Sequence, residues 1–422
     1  MATQEYQFRY GQTSLRFALD PRLVIGELHI QETPPLPDPE GAIREAIRNP
    51  IASRPLRDLV RPGQTVAFIV NDTTRVANSH VFMPILLDEL NAAGIPDRDQ
   101  RIVFSLGTHH PLNEREMAEL VSPSVAKRVR LYNPDCHDAR QFQYVGTTSR
   151  GNAVHFYRPV VEADHIVLTG SIVYHYMAGF GGGRKALFPG VAAYETIRKN
   201  HSFLLDPQAM IGKLEGNPVY EDQIEGTEMC RPSFLLNVVL DEKKQFLKIF
   251  AGDYIQAHLQ GCRFVASIYG VPIEEPADLV IASCGGYPKD INVYQLQKTM
   301  DHAWLAVREG GVVIILGECI EGTGSEEYLQ WMEKYRTPEK VEEKIRENFV
   351  IGGHKAYAVT RLMKKAQYIL ISSLDPDLCR TLRFTPARDM DEALRLAFDR
   401  LGPRPKILLM PQGSLTVPIV GK

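Results

Sequence analysis

Five consecutive apolar residues, Val66 to Val70, stop abruptly at the polar stretch Asn71-Asp72-Thr73-Thr74-Arg75, after which Val81, Phe82, Ile85, Leu86 and Leu90 recur at helical spacing. A run that short and that uniformly apolar reads as a strand covered on both faces, and the stripe behind it as an amphipathic helix. The cycle repeats. Ile102 to Leu106 leads into the loop Gly107 to Pro111 and a helix that Asn113 and Glu116 open as a capping box. His165 to Val173 leads into a glycine-rich loop and a helical stretch near Ala193 to Leu205. Strand, polar loop and helix in succession predict an α/β fold with a parallel or mixed sheet flanked by helices. Ligands of such sheets collect beyond the carboxyl ends of the strands. The three loops occupy that edge by construction.

A second set begins at Ala277-Asp278: Leu279 to Ser283, Val312 to Leu316, Ile369 to Ser372 and Ile407 to Met410 read as buried strands. Helical stretches around Tyr294 to Arg308, Glu326 to Asn348 and Met390 to Leu401 lie between them. Gly, Pro and acidic residues cluster at Gly270 to Pro276, which marks a boundary. The reading is two domains, each a sheet flanked by helices, with the active site in the cleft between them. Residues 1–270 form an N-terminal domain that carries the three loops of the ligand edge, 277–405 a C-terminal α/β domain, and 406–422 a terminal strand that could pack back on the first. Before the first cycle, Tyr6, Phe8, Leu15, Phe17 and Leu19 alternate as in a hairpin, followed by the Pro-rich connection Pro34 to Pro39.

Composition excludes several classes. A net charge of -3 gives no electrostatic reason to expect nucleic acid or an anionic membrane as a partner. No apolar stretch approaches the length that spans a bilayer, and Met1 to Tyr10 lacks the apolar core of a secretion signal. The six cysteines are scattered singly without a C-x-x-C pair, which suits reduced thiols in the cytoplasm.

Four segments carry chemistry. The first is His175-Tyr176-Met177-Ala178-Gly179-Phe180-Gly181-Gly182-Gly183-Arg184-Lys185, followed by Pro189-Gly190 and, on the next helix, Asn200-His201. Its glycines would let backbone N–H groups approach an anion, with Arg184 and Lys185 supplying positive charge. Arg184 stands where a dinucleotide fingerprint needs glycine, and Arg184-Lys185-Ala186 is not the Gly-Lys-Ser/Thr of a P-loop. The second is Gly107-Thr108-His109-His110-Pro111: His109 and His175, on neighbouring strand ends, could flank one substrate as two acid/base groups. The third is Asn71 to Arg75, where Arg75 could clamp a carboxylate and Asp72 could hold a hydroxyl or orient a neighbouring cation. The fourth is Tyr294-Gln295-Leu296-Gln297-Lys298, in which Tyr294 and Lys298 share one helix face. Each also has a plainer reading as a solvated loop, turn or helix charge.

Together, in this order, the four segments resemble the nickel-pincer-dependent lactate racemases, a family of 2-hydroxyacid racemases and epimerases. The resemblance implies a pyridinium-3,5-bisthiocarboxylic acid mononucleotide that carries nickel and is tethered to the lysine closing the glycine loop, here Lys185. It implies His201 as the protein's metal ligand, His109 and His175 as acid and base, and Arg75, Gln295 and Lys298 as substrate contacts. Asp72, Gly181, Gly182, Gly183 and Tyr294 match cofactor-site positions. Its implied partners are a small 2-hydroxyacid and the cofactor-maturation enzymes, without which the expressed protein would lack the cofactor. Two positions depart from the pattern: His110 stands where many members have Arg, and the second domain's aromatic contact has only Tyr357 as a candidate. Two rival readings remain at this point, a non-catalytic nucleotide- or phosphate-binding module and a metal-dependent hydrolase built on His109, His110, His175 and His201.

Overall fold

The computed structural model describes residues 3–421, which contacts divide into two compact units: Thr33–Ala266, and a discontinuous unit made of the residues up to Glu32 with those from Ser267 onward.

The central unit is built on a six-stranded sheet in the order Phe246–Gly252, Phe234–Leu240, His165–Ser171, Val66–Asn71, Gln100–Ser105, Arg130–Tyr132. Every pairing is parallel except the one between Phe234–Leu240 and Phe246–Gly252. All six residues of Val66–Asn71 are buried, as a strand covered on both faces requires. One face, Val66, Phe68 and Val70, packs in a cluster with Phe82, Leu86 and Leu90 of the following helix, Ser79–Ala92. From the central strand the chain runs outward through Gln100–Ser105 and Arg130–Tyr132, then returns to the opposite side with His165–Ser171. That reversal makes the carboxyl ends of Val66–Asn71, Gln100–Ser105 and His165–Ser171 the topological switch point, where crossovers diverge and leave a crevice.

The discontinuous unit carries a second six-stranded sheet, entirely parallel, in the order Thr385–Ala387, Gln367–Ile371, Val307–Leu316, Ala277–Ser283, Ile407–Met410, Val24–Glu27. The hairpin of Gln4–Tyr10 and Thr13–Leu19 forms as the alternation predicts, and Tyr6, Phe8, Phe17 and Leu19 join the core beside Leu279, Ile281, Val312 and Ile314.

Three expectations are corrected. The first 32 residues group with the C-terminal sheet, not with residues 33–270: Val24–Glu27 is the edge strand beside Ile407–Met410. Alternation reveals that a hairpin has an apolar face, but not which sheet covers it. The terminal strand Val417–Val420 pairs with Gly270–Ile273 within this same unit. The single helical stretch read over Glu326 to Asn348 is two helices, Glu326–Lys334 and Pro338–Glu347, because Thr337 caps the second and Pro338 cannot continue the first. The capping box of Asn113 and Glu116 is present with both of its hydrogen bonds. All six cysteines are free thiols, five of them buried. Among the described residues no helix is long and apolar enough to cross a membrane.

Candidate active site

The loop after Val66–Asn71 and the loop after Gln100–Ser105 meet through their side chains. His109 Nδ1 lies 2.5 Å from Asp72 Oδ2, and the Thr74 hydroxyl donates to Asp72 Oδ1 at 2.8 Å. Asp72 is nearly sealed, its side chain 2% exposed, whereas that of His109 is 39% exposed. Burial alone would push the Asp72 carboxyl up, but the His109 and Thr74 hydrogen bonds and the charges of His109 and Arg75 outweigh it and hold the group below the ordinary carboxylate value. An ionised Asp72 accepts from Nδ1–H, and in the neutral imidazole that leaves the lone pair on Nε2. Arg75 and His110 are exposed in the same pair of loops.

The loop after His165–Ser171 is tied to the His109 loop by the backbone, since Gly107 N–H donates to the Gly190 carbonyl at 2.8 Å. Gly190 itself has no room for a side chain: a Cβ there would lie 1.9 Å from Ser105 Oγ. His175 is half-buried, and its Nδ1 receives long hydrogen bonds from Met177 N–H at 3.4 Å and Ala178 N–H at 3.3 Å. A nitrogen that accepts carries no proton, so His175 presents Nε2–H. Desolvation first, then the charges of Lys185, Arg75, His201 and Arg184, hold His175 well below the ordinary imidazole value. Lys185 is buried, and desolvation followed by Arg75 and Arg184 depresses its amine well below the usual range. These interactions bring Arg75, His175, Arg184, Lys185 and His201 within electrostatic reach, and Arg75 also acts on Asp72.

The glycines do a different job from the one the sequence suggested. Gly181 N–H donates to the Val173 carbonyl, Gly183 N–H to Asn237 Oδ1 at 2.7 Å, and Lys185 N–H to the Gly182 carbonyl. Those three donors are therefore not free to cradle an anion. A Cβ on Gly183, whose φ is +58°, would lie 2.6 Å from the His258 ring, and one on Gly182 would lie 2.8 Å from Asn237 Oδ1. The loop is a packed element braced by Asn237 and by His258, whose Nε2 bonds the Gly181 carbonyl at 2.9 Å. Arg184 is buried as well: Nη2 donates to the Ala178 carbonyl, the guanidinium stands 4.5 Å from the Tyr220 ring centroid, and Nε and Nη1 have no protein partner.

His201 sits in the last turn of the helix Tyr194–Ser202. The preceding Asn200 anchors that helix, donating to Asp222 Oδ2 at 2.8 Å and to the Val219 carbonyl at 3.1 Å while accepting from Gln223 Nε2. Asp222 also receives Thr148 Oγ1 and Asn152 Nδ2 and is fully buried. Asn237, His258 and Asp222 were missed as supporting residues. Asn237 is a polar residue inside the apolar strand Phe234–Leu240, which was an available signal; Asp222 and His258 lie in helices of mixed composition and gave none.

In the other unit, Asn292 caps the helix Val293–Ala306, accepting from Gln295 N–H at 3.0 Å. Tyr294 is 44% exposed, and Lys298 Nζ donates to Gln295 Oε1 at 3.2 Å. Tyr357, the candidate aromatic contact, is buried in the helix Gly353–Met363.

Comparison with known proteins bears on what such a chain does. Residues 10–212 match the family model for the lactate racemase N-terminal domain, and residues 273–418 that for the lactate racemase C-terminal domain. A lactate racemase of Thermoanaerobacterium thermosaccharolyticum is 33% identical over 381 residues, covering 89% of each chain. The chain belongs to the lactate racemase family. A second lactate racemase, from Lactiplantibacillus plantarum, is 32% identical over the same shares. The structure of the lactate racemase apoprotein from T. thermosaccharolyticum superimposes with a TM-score of 0.90 at 31% identity, covering 99% of this chain and all of that one. A Thermotoga maritima protein at 19% identity and TM-score 0.65 shares the fold. Membership makes the protein an isomerase, and the non-catalytic reading falls away. The hydrolase reading lacks a site: among the described residues no group of three or more His, Cys, Asp or Glu could hold a metal.

Proposed function

We propose that this lactate racemase family member interconverts the enantiomers of a small 2-hydroxyacid, lactate or a near relative, using His109 and His175 as base and acid and a nickel pincer nucleotide tethered at Lys185. The observation that carries the reading is the opposite presentation of the two imidazoles. Asp72 leaves His109 with an open lone pair at Nε2, and the two backbone donors leave His175 with a proton at Nε2. With the C2 hydrogen moving as hydride, the protein has to take a proton from the substrate hydroxyl in one half-reaction and return one to the same oxygen in the other, which two imidazoles on neighbouring strand ends can share.

The residues fit the implied cofactor. An amine that is buried and held neutral by desolvation, Arg75 and Arg184 is a nucleophile suited to condensing with a thiocarboxyl arm, and Lys185 has that character. His201 would hold the nickel from the protein side, and the cofactor's sulfur arms would have to supply the other ligands. The anionic nucleotide would also balance the surplus positive charge around Arg184 and Lys185. When bound, the cofactor supplies hydride exchange at C2, chemistry that no side chain performs.

The protein's own tasks follow. Arg75 holds the substrate carboxylate through its planar guanidinium, and Gln295 and Lys298 add polar contacts to the same small molecule. His109 takes the hydroxyl proton at Nε2, and the resulting imidazolium is stabilised by the buried Asp72 carboxylate. His175 acts as the acid in the half-reaction that leads to the other enantiomer only when protonated to the imidazolium, which gives its proton to the substrate oxygen and returns to the neutral imidazole that its surroundings favour. For the reverse conversion the two exchange roles.

The test is expression with the cofactor-maturation enzymes and nickel, followed by intact-mass analysis, metal analysis and a chiral lactate assay. The expected result is a mass adduct located at Lys185, stoichiometric nickel, and racemisation that Ala at either His109 or His175 abolishes. An active preparation with unmodified Lys185 and little nickel overturns the cofactor assignment, and loaded protein inactive on every small 2-hydroxyacid overturns the reaction.

A further inference from the structure

Lys355 is a buried lysine that nothing above uses. It lies in the helix Gly353–Met363 and is 8% exposed. Its Nζ donates to the Tyr294 carbonyl at 3.2 Å and stands 3.6 Å from the centroid of the Tyr294 ring. Tyr294, Lys298 and Asp301 are spaced four and three along the helix Val293–Ala306 and so share one face. The Lys355 ammonium addresses that face: Asp301, 6% exposed, is the negative charge that supports it against desolvation, and Lys298 is the positive charge that opposes it.

Helix stability does not ask for this arrangement. A cation at the first turn of a helix opposes the macrodipole, and a buried ammonium is costly to desolvate. The first turn already has its own supports in the Asn292 cap and in the bonds from Val293 N–H to the Gly322 carbonyl and from Tyr294 N–H to the Thr323 carbonyl. What the ammonium adds is a second hold on Tyr294, by carbonyl and ring together, at the residue that precedes Gln295. Tyr294 as a residue stays 44% exposed while the cation that holds its ring is almost fully covered.

We propose that Lys355 is a positioning residue: its ammonium clamps Tyr294 at the carbonyl and the ring, and thereby sets the direction in which Gln295 and Lys298 meet the substrate. The inference rests on the proposed function in taking Gln295 and Lys298 as contacts to a 2-hydroxyacid. Desolvation pushes the Lys355 amine down to about 7, and Asp301 is the counter-charge that works against that fall; the clamp itself is the contact of Nζ with the Tyr294 carbonyl and ring.

The experiment uses cofactor-loaded Lys355→Met, with Lys355→Met/Asp301→Asn as a second variant in which no buried carboxylate is left unpaired. In whichever variant folds with an unchanged circular dichroism spectrum, KM for lactate rises about tenfold or more while kcat stays within about threefold, because ground-state contacts are lost and the acid/base pair is untouched. Lys355→Arg, which keeps a cation, recovers part of the affinity. In parallel, hydrogen exchange of the 293–298 backbone speeds up about tenfold in the Met variants and not in distant helices. An unchanged KM in a folded variant overturns the proposal. Should wild-type loaded protein fail to racemise any small 2-hydroxyacid, the proposed function falls on its own, and the exchange measurement alone then decides the clamp: faster exchange confined to 293–298 supports it, and unchanged exchange overturns it.

Discussion

The Nδ1 atom of His109 sits 2.5 Å from Oδ2 of Asp72, two residues that close the ends of adjacent parallel strands. The carboxylate is buried and the imidazole is partly open to solvent, so one member fixes the tautomer and the other faces whatever enters. Replacing Asp72 by Asn keeps the shape but lets the amide donate to Nδ1, which moves the proton to Nε2. Loaded Asp72→Asn enzyme is expected to lose about 10²- to 10⁴-fold in kcat with little change in KM, measured by chiral lactate assay, as when other catalytic histidines lose their orienting carboxylate. A kcat within threefold of wild type would show that the pair does not set the base.

The same pair gives stability a pH dependence of defined sign. The folded-state value of Asp72 lies below the ordinary 3.8, so its interactions contribute fully above that value and are lost as pH falls through the lower, folded one. The gap in thermal midpoint between wild type and Asp72→Asn should hold from neutral pH down to about pH 5 and close below about pH 4. A gap that widens in acid would mean that Asp72 is protonated in the folded protein.

Lys185 makes a prediction that needs no cofactor. Desolvation, Arg75 and Arg184 hold its amine well below the usual 10.5, so at any given pH a larger share of it is neutral than of a surface lysine. Reductive methylation with formaldehyde, a reagent small enough to enter, should mark Lys185 of the apoprotein almost equally at pH 7 and pH 9. Exposed lysines should lose about tenfold in rate per unit of pH over that range. Peptide mapping reads the difference, and parallel behaviour of all lysines would contradict a neutral Lys185.

Gly183→Ala tests whether the glycine loop is packed or open. The new Cβ would lie 2.6 Å from the His258 ring on a backbone with φ of +58°. Denaturant unfolding should show a loss of about 2–4 kcal/mol, of which His258→Ala in the same chain removes the clash but leaves about 1–2 kcal/mol of left-handed strain. A neutral substitution would mean that the loop has room for a ligand where packing now stands.

Much of the central unit was legible because its signals are local. Val66–Asn71 and Gln100–Ser105 announce themselves by short apolar runs, Val66 to Val70 and Ile102 to Phe104, and Asn113 and Glu116 announce the helix behind the second. The ligand edge followed from strand order alone, which is why Asp72, Arg75, His109 and His175 could be named together. Residues that act across the sequence were not legible in the same way. Gly183 answers to Asn237 and His258, and Asn200 to Asp222, over separations that no periodicity encodes. Loop glycines look alike whether they admit an anion or a neighbouring ring.

The pairing of Val24–Glu27 with Ile407–Met410 sets an order of events during synthesis. The first of these strands leaves the ribosome early, yet its neighbour is made only when nearly all of the chain has followed. Thr33–Ala266 is complete long before and can close on its own, while the leading hairpin waits with Tyr6, Phe8 and Phe17 uncovered. Until Leu279, Ile281 and Val312 are made to cover it, that aromatic surface is open to non-native contacts.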